Sequence, residues 1–329
     1  AQTFRTLVSN QADVAWFGYA VSVVDGERVM CCFGNDTTWV NGNIVMSDGS
    51  SCCRACRLEP SADGTSMATR APGTAGAGAA RNVVRLEGSD RMVVLFRVAD
   101  RAVDRIRVFS EDCELDAGGR TVTWLDAVRP ADSIALLESF ATSTDGRRDR
   151  ITDGAISAIA LHGDPAADTS LDRLVAVNQP EAVRKKVTFW LGNTRGAHGL
   201  ATLRRVLKED TSAEVQKAAV FGVSQSKETA AFDVLLALAR TDPSPRIRGE
   251  AIFWLGQSGD GENSALLREI FPTTRDSEVQ EKILFALSQS PSEENSRFLL
   301  ARAKDRSLPN EMRKTALFWA GQGGVPVKD

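Results

Sequence analysis

Histidine, tyrosine and long apolar runs are what this chain has least of. Two histidines, His162 and His198, serve 329 residues, and there is one tyrosine. That leaves little for imidazole bases or histidine-ligated metals. No apolar run approaches the ~18 residues that a membrane-spanning helix needs. A surplus of one charge is missing too: 40 Lys and Arg face 43 Asp and Glu, for a net charge of −3. A general nucleic-acid binder is expected to be basic, so nucleic acid is not an expected partner. Lysine is absent before Lys185 and cysteine is absent after Cys113. With 43% hydrophobic and 25% charged residues the composition is that of a globular protein, which excludes wholesale disorder. The length suits two domains.

What cysteine there is lies in one stretch: Cys31, Cys32, Cys52, Cys53, Cys56 and Cys113. An even count confined to a small region reads as a disulfide framework in an oxidising compartment. Vicinal pairing of Cys31 with Cys32, or Cys52 with Cys53, is disfavoured by ring strain. Cys53-Arg-Ala-Cys56 is a CxxC, which keeps a zinc or thiol-exchange module open as an alternative. It lacks the second CxxC of a zinc ribbon, and its Ser, Gly and Arg flanks are not those of a thioredoxin-type site. The Ala1-Gln2 start resembles what a signal peptidase leaves after a small-residue site. Together these features place the expected location in the periplasm or outside the cell.

The first part of the chain reads as β-structure. Val14 to Val24 is rich in aromatic and β-branched residues, Asp25-Gly26 is a hairpin turn signal, and Arg28 to Phe33 follows as a return strand. Residues 61–82 form a Gly/Ala/Ser/Thr-rich loop, expected to be flexible. Met92 to Val98, Asp104 to Ser110 and Thr121 to Leu125 are further strands. The expectation is a small antiparallel β-domain over residues 1–129, stapled by its cysteines. From Pro130 onward helical signals take over, with Asp132 and Ser133 as candidate caps.

The second part is a repeat. Five segments align without gaps: VRKKVTFWLGN from Val183, VQKAAVFGVSQ from Val215, IRGEAIFWLGQ from Ile247, VQEKILFALSQ from Val279 and MRKTALFWAGQ from Met312. Their phenylalanines, Phe189, Phe221, Phe253, Phe285 and Phe318, are spaced 32, 32, 32 and 33 residues apart. A degraded copy starts at Ile151. Each unit pairs this first helix with a second one, marked by Leu203, Val206 and Leu207, by Phe232, Leu235 and Leu236, or by Leu266, Leu267 and Ile270. Glycine near the end of the first helix is read as closing it in the left-handed region. A fixed period with two helices per unit is an α-helical solenoid, here of five to six helix pairs over 130–329. The overall class is α+β.

These repeats resemble bacterial HEAT-repeat proteins of the short type related to phycobilisome-lyase HEAT-like repeats. The resemblance covers roughly residues 150–325. Gly18-Tyr-Ala-Val21, the paired cysteines and FSEDCELDAGG (109–119) resemble the N-terminal region of secreted bacterial HEAT proteins. The family includes scaffolds, chromophore lyases and a few DNA-repair enzymes, so the resemblance implies a fold and leaves the activity open.

Two columns of the repeat are candidate contact residues. One reads Trp190, Gly222, Trp254, Ala286, Trp319. Alternating bulk reads as a knob packed over a hole, or as a row of aromatic anchors. The other reads Arg184, Gln216, Arg248, Gln280, Arg313, with Lys185, Lys217 and Lys314 beside it. Aligned at helix starts, it makes a ladder with rungs about 10 Å apart. It reads as a solvated edge or as a dock for an acidic protein surface. After Phe318-Trp-Ala-Gly-Gln322 comes only GGVPVKD, without a second helix, so either further chain or a partner is expected to cover that face.

No constellation for nucleophilic catalysis is visible. GxxxxGK[ST] and GxGxxG are absent, and the histidines fall in turn-like contexts expected to be solvent-exposed. Glu111, Asp112, Glu114 and Asp116 around Cys113 lack EF-hand spacing for calcium. The expected function is therefore a non-catalytic, extracytoplasmic protein-interaction scaffold without cofactor or metal. It would be an accessory subunit of a larger membrane-associated complex. The alternatives are a chromophore- or ligand-handling lyase-type protein, and a thiol or metal module in residues 31–113.

Overall fold

The computed structural model describes residues 2–25, 37–40, 43–46, 56–59, 90–111, 115–142, 149–257 and 261–322. Cys31, Cys32, Cys52, Cys53 and Cys113 lie outside them, as do the return strand expected at 28–33 and the loop 61–82. Cys56 is described as backbone alone. The chain divides into two compact units, Ala1–Val183 and Arg184–Asp329.

The first unit is built on a sheet in the order β6-β5-β1-β8, formed by β1 (Ala15–Ser22), β5 (Arg91–Ala99), β6 (Ala102–Ser110) and β8 (Val122–Trp124). Two small ribbons pair β2 (Thr37–Val40) with β3 (Asn43–Met46), and β4 (Cys56–Arg57) with β7 (Leu115–Asp116). The β1, β5 and β6 pairings are antiparallel, but β8 runs parallel to β1. The sheet is thus mixed rather than purely antiparallel, because the chain leaves β6 at one edge and re-enters at the other, beyond β1. The apolar runs of β1 and β5 are continuous, not alternating, because both sheet faces are covered. On one face Phe17 and Phe96 meet Phe4 of α1 (Gln2–Asn10), and Phe96 meets Phe140 of α2 (Pro130–Ala141). On the other, Trp16, Val93, Leu95 and Phe109 close with Leu58. Gly18 has no side chain for a local reason: a Cβ there would sit 2.6 Å from Leu95 Cδ2 and 2.9 Å from Trp124.

Helix α2 begins with Pro130 at its first turn, where the missing N–H costs nothing. Neither Asp132 nor Ser133 caps it. Asp132 accepts from the Arg129 side chain at 2.7 Å, and the buried Ser133 hydroxyl pairs with Tyr19 Oη at 2.8 Å. Helix α3 (Asp149–Leu161) lies so close to β6 that a Cβ on Gly154 would stand 2.3 Å from Ile106 O. His162 follows α3 and is fully buried rather than solvent-exposed. Its Nδ1 accepts from Asp164 N–H at 3.2 Å, and its backbone bridges to Val23 at the end of β1. Helix α4 (Ala166–Leu174) docks on α2 through Arg173 and Ser170, both donating to Glu138.

The second unit holds the five aligned segments as first helices: α5 (Glu181–Thr194, crossing the division), α7 (Ala213–Gln225), α9 (Pro245–Gln257), α11 (Ser277–Ser288) and α13 (Asn310–Gln322). Second helices alternate with them: α6 (Gly196–Glu209), α8 (Ala230–Thr241), α10 (Gly261–Ile270) and α12 (Glu293–Lys304). Apolar residues of the first helices, such as Val187, Ala219, Ala251 and Ile283, are fully buried. Gly192, Gly222, Gly256 and Gly321 do not close these helices; all four lie inside them, with negative φ. The role of Gly192, Gly222 and Gly256 is close approach. A Cβ on Gly192 would lie 1.9 Å from Gly222 O, and one on Gly256 would lie 2.6 Å from Ala286 Cβ. The space a side chain at Gly222 would take is occupied by Thr188 O of α5 and by the Leu203 side chain of α6.

Within a repeat, a clamp forms at the start of the second helix. Asn263 donates to Leu255 O at 3.3 Å, and Asn295 to Leu287 O at 3.3 Å. Each loop between repeats is an Asx- or ST-type turn. Asp210 accepts from Ser212 N–H, Asp242 from Ser244 N–H, Thr274 from Asp276 N–H and Asp305 from Ser307 N–H. The next first helix is then capped by Ser212, Ser244 or Asp276.

Candidate binding surface

The basic column lies where those loops are. Arg184 is 7% exposed and pairs with the buried Asp210, Nε to Oδ2 at 2.9 Å. Arg248 donates to Asp242 O at 2.8 Å and reaches Asp276 at 3.7 Å. Arg313 donates to Ala303 O at 3.1 Å. Gln216 and Gln280 do the same at Leu207 O and Thr274 O. In four of the five segments a long donor at the second residue satisfies a carbonyl at or just past the end of the preceding helix, where the dipole favours a cation, whereas Arg184 pairs with the Asp210 carboxylate beyond α6. These arginines hold repeats together. The lysines beside them face outward. Lys185 is exposed, Lys217 pairs with Glu250 at 3.5 Å and Lys314 with Glu311 at 2.8 Å.

The aromatic residues form one continuous file. Trp190 meets Phe189, Phe189 stacks on Phe221 (5.9 Å), and Phe221 meets Trp254 (4.6 Å). Trp254 meets Phe253, which stacks on Phe285 (6.2 Å). Phe285 meets Trp319 (5.0 Å), beside Phe318. The rings are half-buried, except Phe318, which is 56% exposed. Trp190, Trp254 and Trp319 are thus linked through the phenylalanines. Trp254 is also held by a hydrogen bond from Nε1 to Glu250, 2.9 Å long.

Beside this file runs a groove of ≈ 880 Å³ on α7, α9, α11 and α13. Its floor includes Gly249, Phe285 and Trp319, and its walls carry Lys217, Lys282 and Lys314 against Glu250, Glu278 and Glu281. Gly249 leaves room for the Lys282 stem, whose Cγ would lie 3.3 Å from a Cβ there. Such a surface offers ring faces for apolar or guanidinium groups and charges of both signs at the rim.

A family model of HEAT repeats matches residues 171–252 and 232–318. Residues 171–318 are HEAT repeats. The HEAT region therefore holds the aromatic file up to Phe318 and most of the groove. Among solved structures, human deoxyhypusine hydroxylase in complex with glycerol is similar at a TM-score of 0.32 and 15% identity, over 60% of this chain and 81% of that one. A search of curated proteins finds no match.

Among the described residues, no three His, Cys, Asp or Glu side chains gather as a metal site would require. No described helix is long and apolar enough to cross a membrane. His198 sits half-buried in the first turn of α6. The sequence reading passed over Lys282, Glu250 and the phenylalanines as surface residues. The phenylalanine period was visible, but only the helix phase in three dimensions shows that the rings touch.

Proposed function

We propose that this chain is a non-catalytic scaffold that holds a segment of another protein in the groove beside the aromatic file. The unbroken contact of eight rings next to a charged-rimmed groove carries this reading. Prepacked aromatics present large area with little side-chain entropy left to lose, which suits a binding surface. HEAT repeats are compatible with protein interaction, and a groove running over four helices with charges of both signs at its rim can seat a peptide segment. The finer reading places the scaffold outside the cytoplasm as an accessory subunit of a membrane-associated complex. It is supported by the confinement of all six cysteines to residues 31–113.

The test is purification of the complex from native extract, with cross-linking through Lys217, Lys282 and Lys314. One recurrent protein is expected, cross-linked at these lysines and lost when Thr315→Trp fills the groove. A partner retained at full stoichiometry by Thr315→Trp would overturn the groove assignment. Turnover of a small molecule by the purified chain would overturn the scaffold reading. Thiol counting under denaturing conditions tests the location: closed disulfides are expected, and six free thiols would refute it.

A further inference from the structure

The internal repeats alternate between two interface types, and α13 carries one half of such an interface that is left open among the described residues. In every preceding first helix the residue before the shared phenylalanine is covered by the next repeat. Thr188, Val220, Ile252 and Leu284 are each 0% exposed, whereas Leu317 is 59% exposed. The glycine three residues after that phenylalanine gives the same contrast. Gly192 and Gly256 have Gly222 and Ala286 pressed against them, while a Cβ on Gly321 would meet nothing within 4 Å.

The two types of repeat differ chemically. α5, α9 and α13 carry Phe-Trp followed by Gly (Phe189, Trp190, Gly192; Phe253, Trp254, Gly256; Phe318, Trp319, Gly321). α7 and α11 carry Phe followed at once by a small residue (Phe221-Gly222; Phe285-Ala286). Where a Phe-small helix covers a Phe-Trp helix, three contacts recur. The phenylalanines stack, at 5.9 Å for Phe189 with Phe221 and 6.2 Å for Phe253 with Phe285. The small residue fits on the glycine. The arginine of the covered helix reaches an aspartate ahead of the covering helix, Arg184 to Asp210 and Arg248 to Asp276. α13 presents all three receptors: Phe318, Gly321 and Arg313.

We propose that this face docks an amphipathic α-helix of a partner protein with the Phe-small signature. That helix carries an apolar residue, then Phe, then Gly or Ala, with an Asp nine to eleven residues ahead of the Phe, as Asp276 and Asp210 stand ahead of Phe285 and Phe221. Continuity with the two internal interfaces of this kind is what specifies the occupant. A second copy docking through its own α13 brings Trp319 where a small residue is required. Residues 323–329, GGVPVKD, contain no phenylalanine and do not supply the signature. Phe318 also lines the groove, but Leu317 and Gly321 do not, so substitutions at those two residues test this site separately from the groove assignment.

The probe is a synthetic peptide of residues 274–289, Thr274 to Gln289, stapled through positions 277 and 281 so that circular dichroism shows it helical before use. It is titrated into the full chain. Saturable one-to-one binding is expected. Gly321→Val or Leu317→Asp in the chain, or Phe285→Ala in the peptide, should each weaken it about tenfold or more. Equal binding to Gly321→Val, or no binding of the helical peptide to the wild-type chain, would overturn the proposal. Self-association that Leu317→Asp abolishes and the peptide does not compete with would assign the face to a second copy instead, and would also overturn it.

Discussion

Arg184→Met offers the sharpest test of how the repeats are joined. In the native chain the Asp210 carboxylate is 4% exposed, paired with Arg184 and accepting from Ser212 N–H at 2.8 Å. Removing the guanidinium leaves a buried carboxylate with no counter-charge at that junction, a change that costs about 3–5 kcal/mol. In a repeat array each unit leans only on its neighbours, so the loss falls on α5 to α7 rather than on the whole chain. At about 1.4 kcal/mol per factor of ten, amide exchange there should accelerate by roughly two to nearly four powers of ten. Hydrogen exchange read by mass spectrometry measures this, with α12 as an internal reference. The double variant Arg184→Met/Asp210→Asn keeps the oxygen that accepts from Ser212 and removes the stranded charge, so most protection should return. Native-like exchange in the single variant, or equal damage in the double, would refute the assignment of Arg184 as a junction residue.

Three further outcomes follow from described geometry. Gly192→Ala places a methyl group 1.9 Å from Gly222 O and should destabilise the array by about 1–3 kcal/mol, whereas Gly249→Ala meets only the flexible Lys282 stem and should be neutral or slightly stabilising; thermal melts compare them. Burial pushes the phenol of Tyr19, the chain's one tyrosine, upward in pKa, with Ser133 pulling weakly the other way. Absorbance at 295 nm should therefore stay flat through the ordinary tyrosine range near ~10 and rise only on unfolding; a reversible titration in that range would show the ring is not enclosed. Hydrogen bonds from Arg173, and then Ser170, hold the Glu138 carboxyl below the usual range against partial burial. The α2–α4 contact is therefore strengthened at neutral pH, and that contribution is lost as pH falls below the ordinary glutamate range through the lowered folded value. Glu138→Gln should remove this acid dependence from exchange rates in α4, and an unchanged profile would count against the pair.

The repeat was legible because its period is regular and its apolar residues recur in phase. The five first helices start within two residues of the leading Val, Ile or Met of their segments. Glycine was misread, since Gly-Gln near a helix end looks the same whether the glycine closes the helix or lets a neighbour in; only the approach of Gly222 to Gly192 decides it. The arginines were misplaced for a similar reason. Sequence shows a charge at a helix start, but whether it faces solvent or the preceding helix's carbonyls depends on how tightly successive repeats stack. In the first unit the strands β1, β5 and β6 could be read from β-branched and aromatic residues. Helix α1 could not, because a single phenylalanine, Phe4, anchors its nine residues.

The alternation of Phe-Trp and Phe-small helices has a consequence for how such an array can grow or shrink. The aligned segments recur every 32 or 33 residues, but like interfaces recur only from Trp190 to Trp254, 64 residues on. Excising one repeat, for example joining α5 to α9, would set two tryptophan-bearing helices face to face and leave Gly192 without its small partner. Excising two in succession would restore matching faces at the scar. Changes of length in this protein should therefore be tolerated in pairs, so that the heritable unit of the array is four helices rather than two.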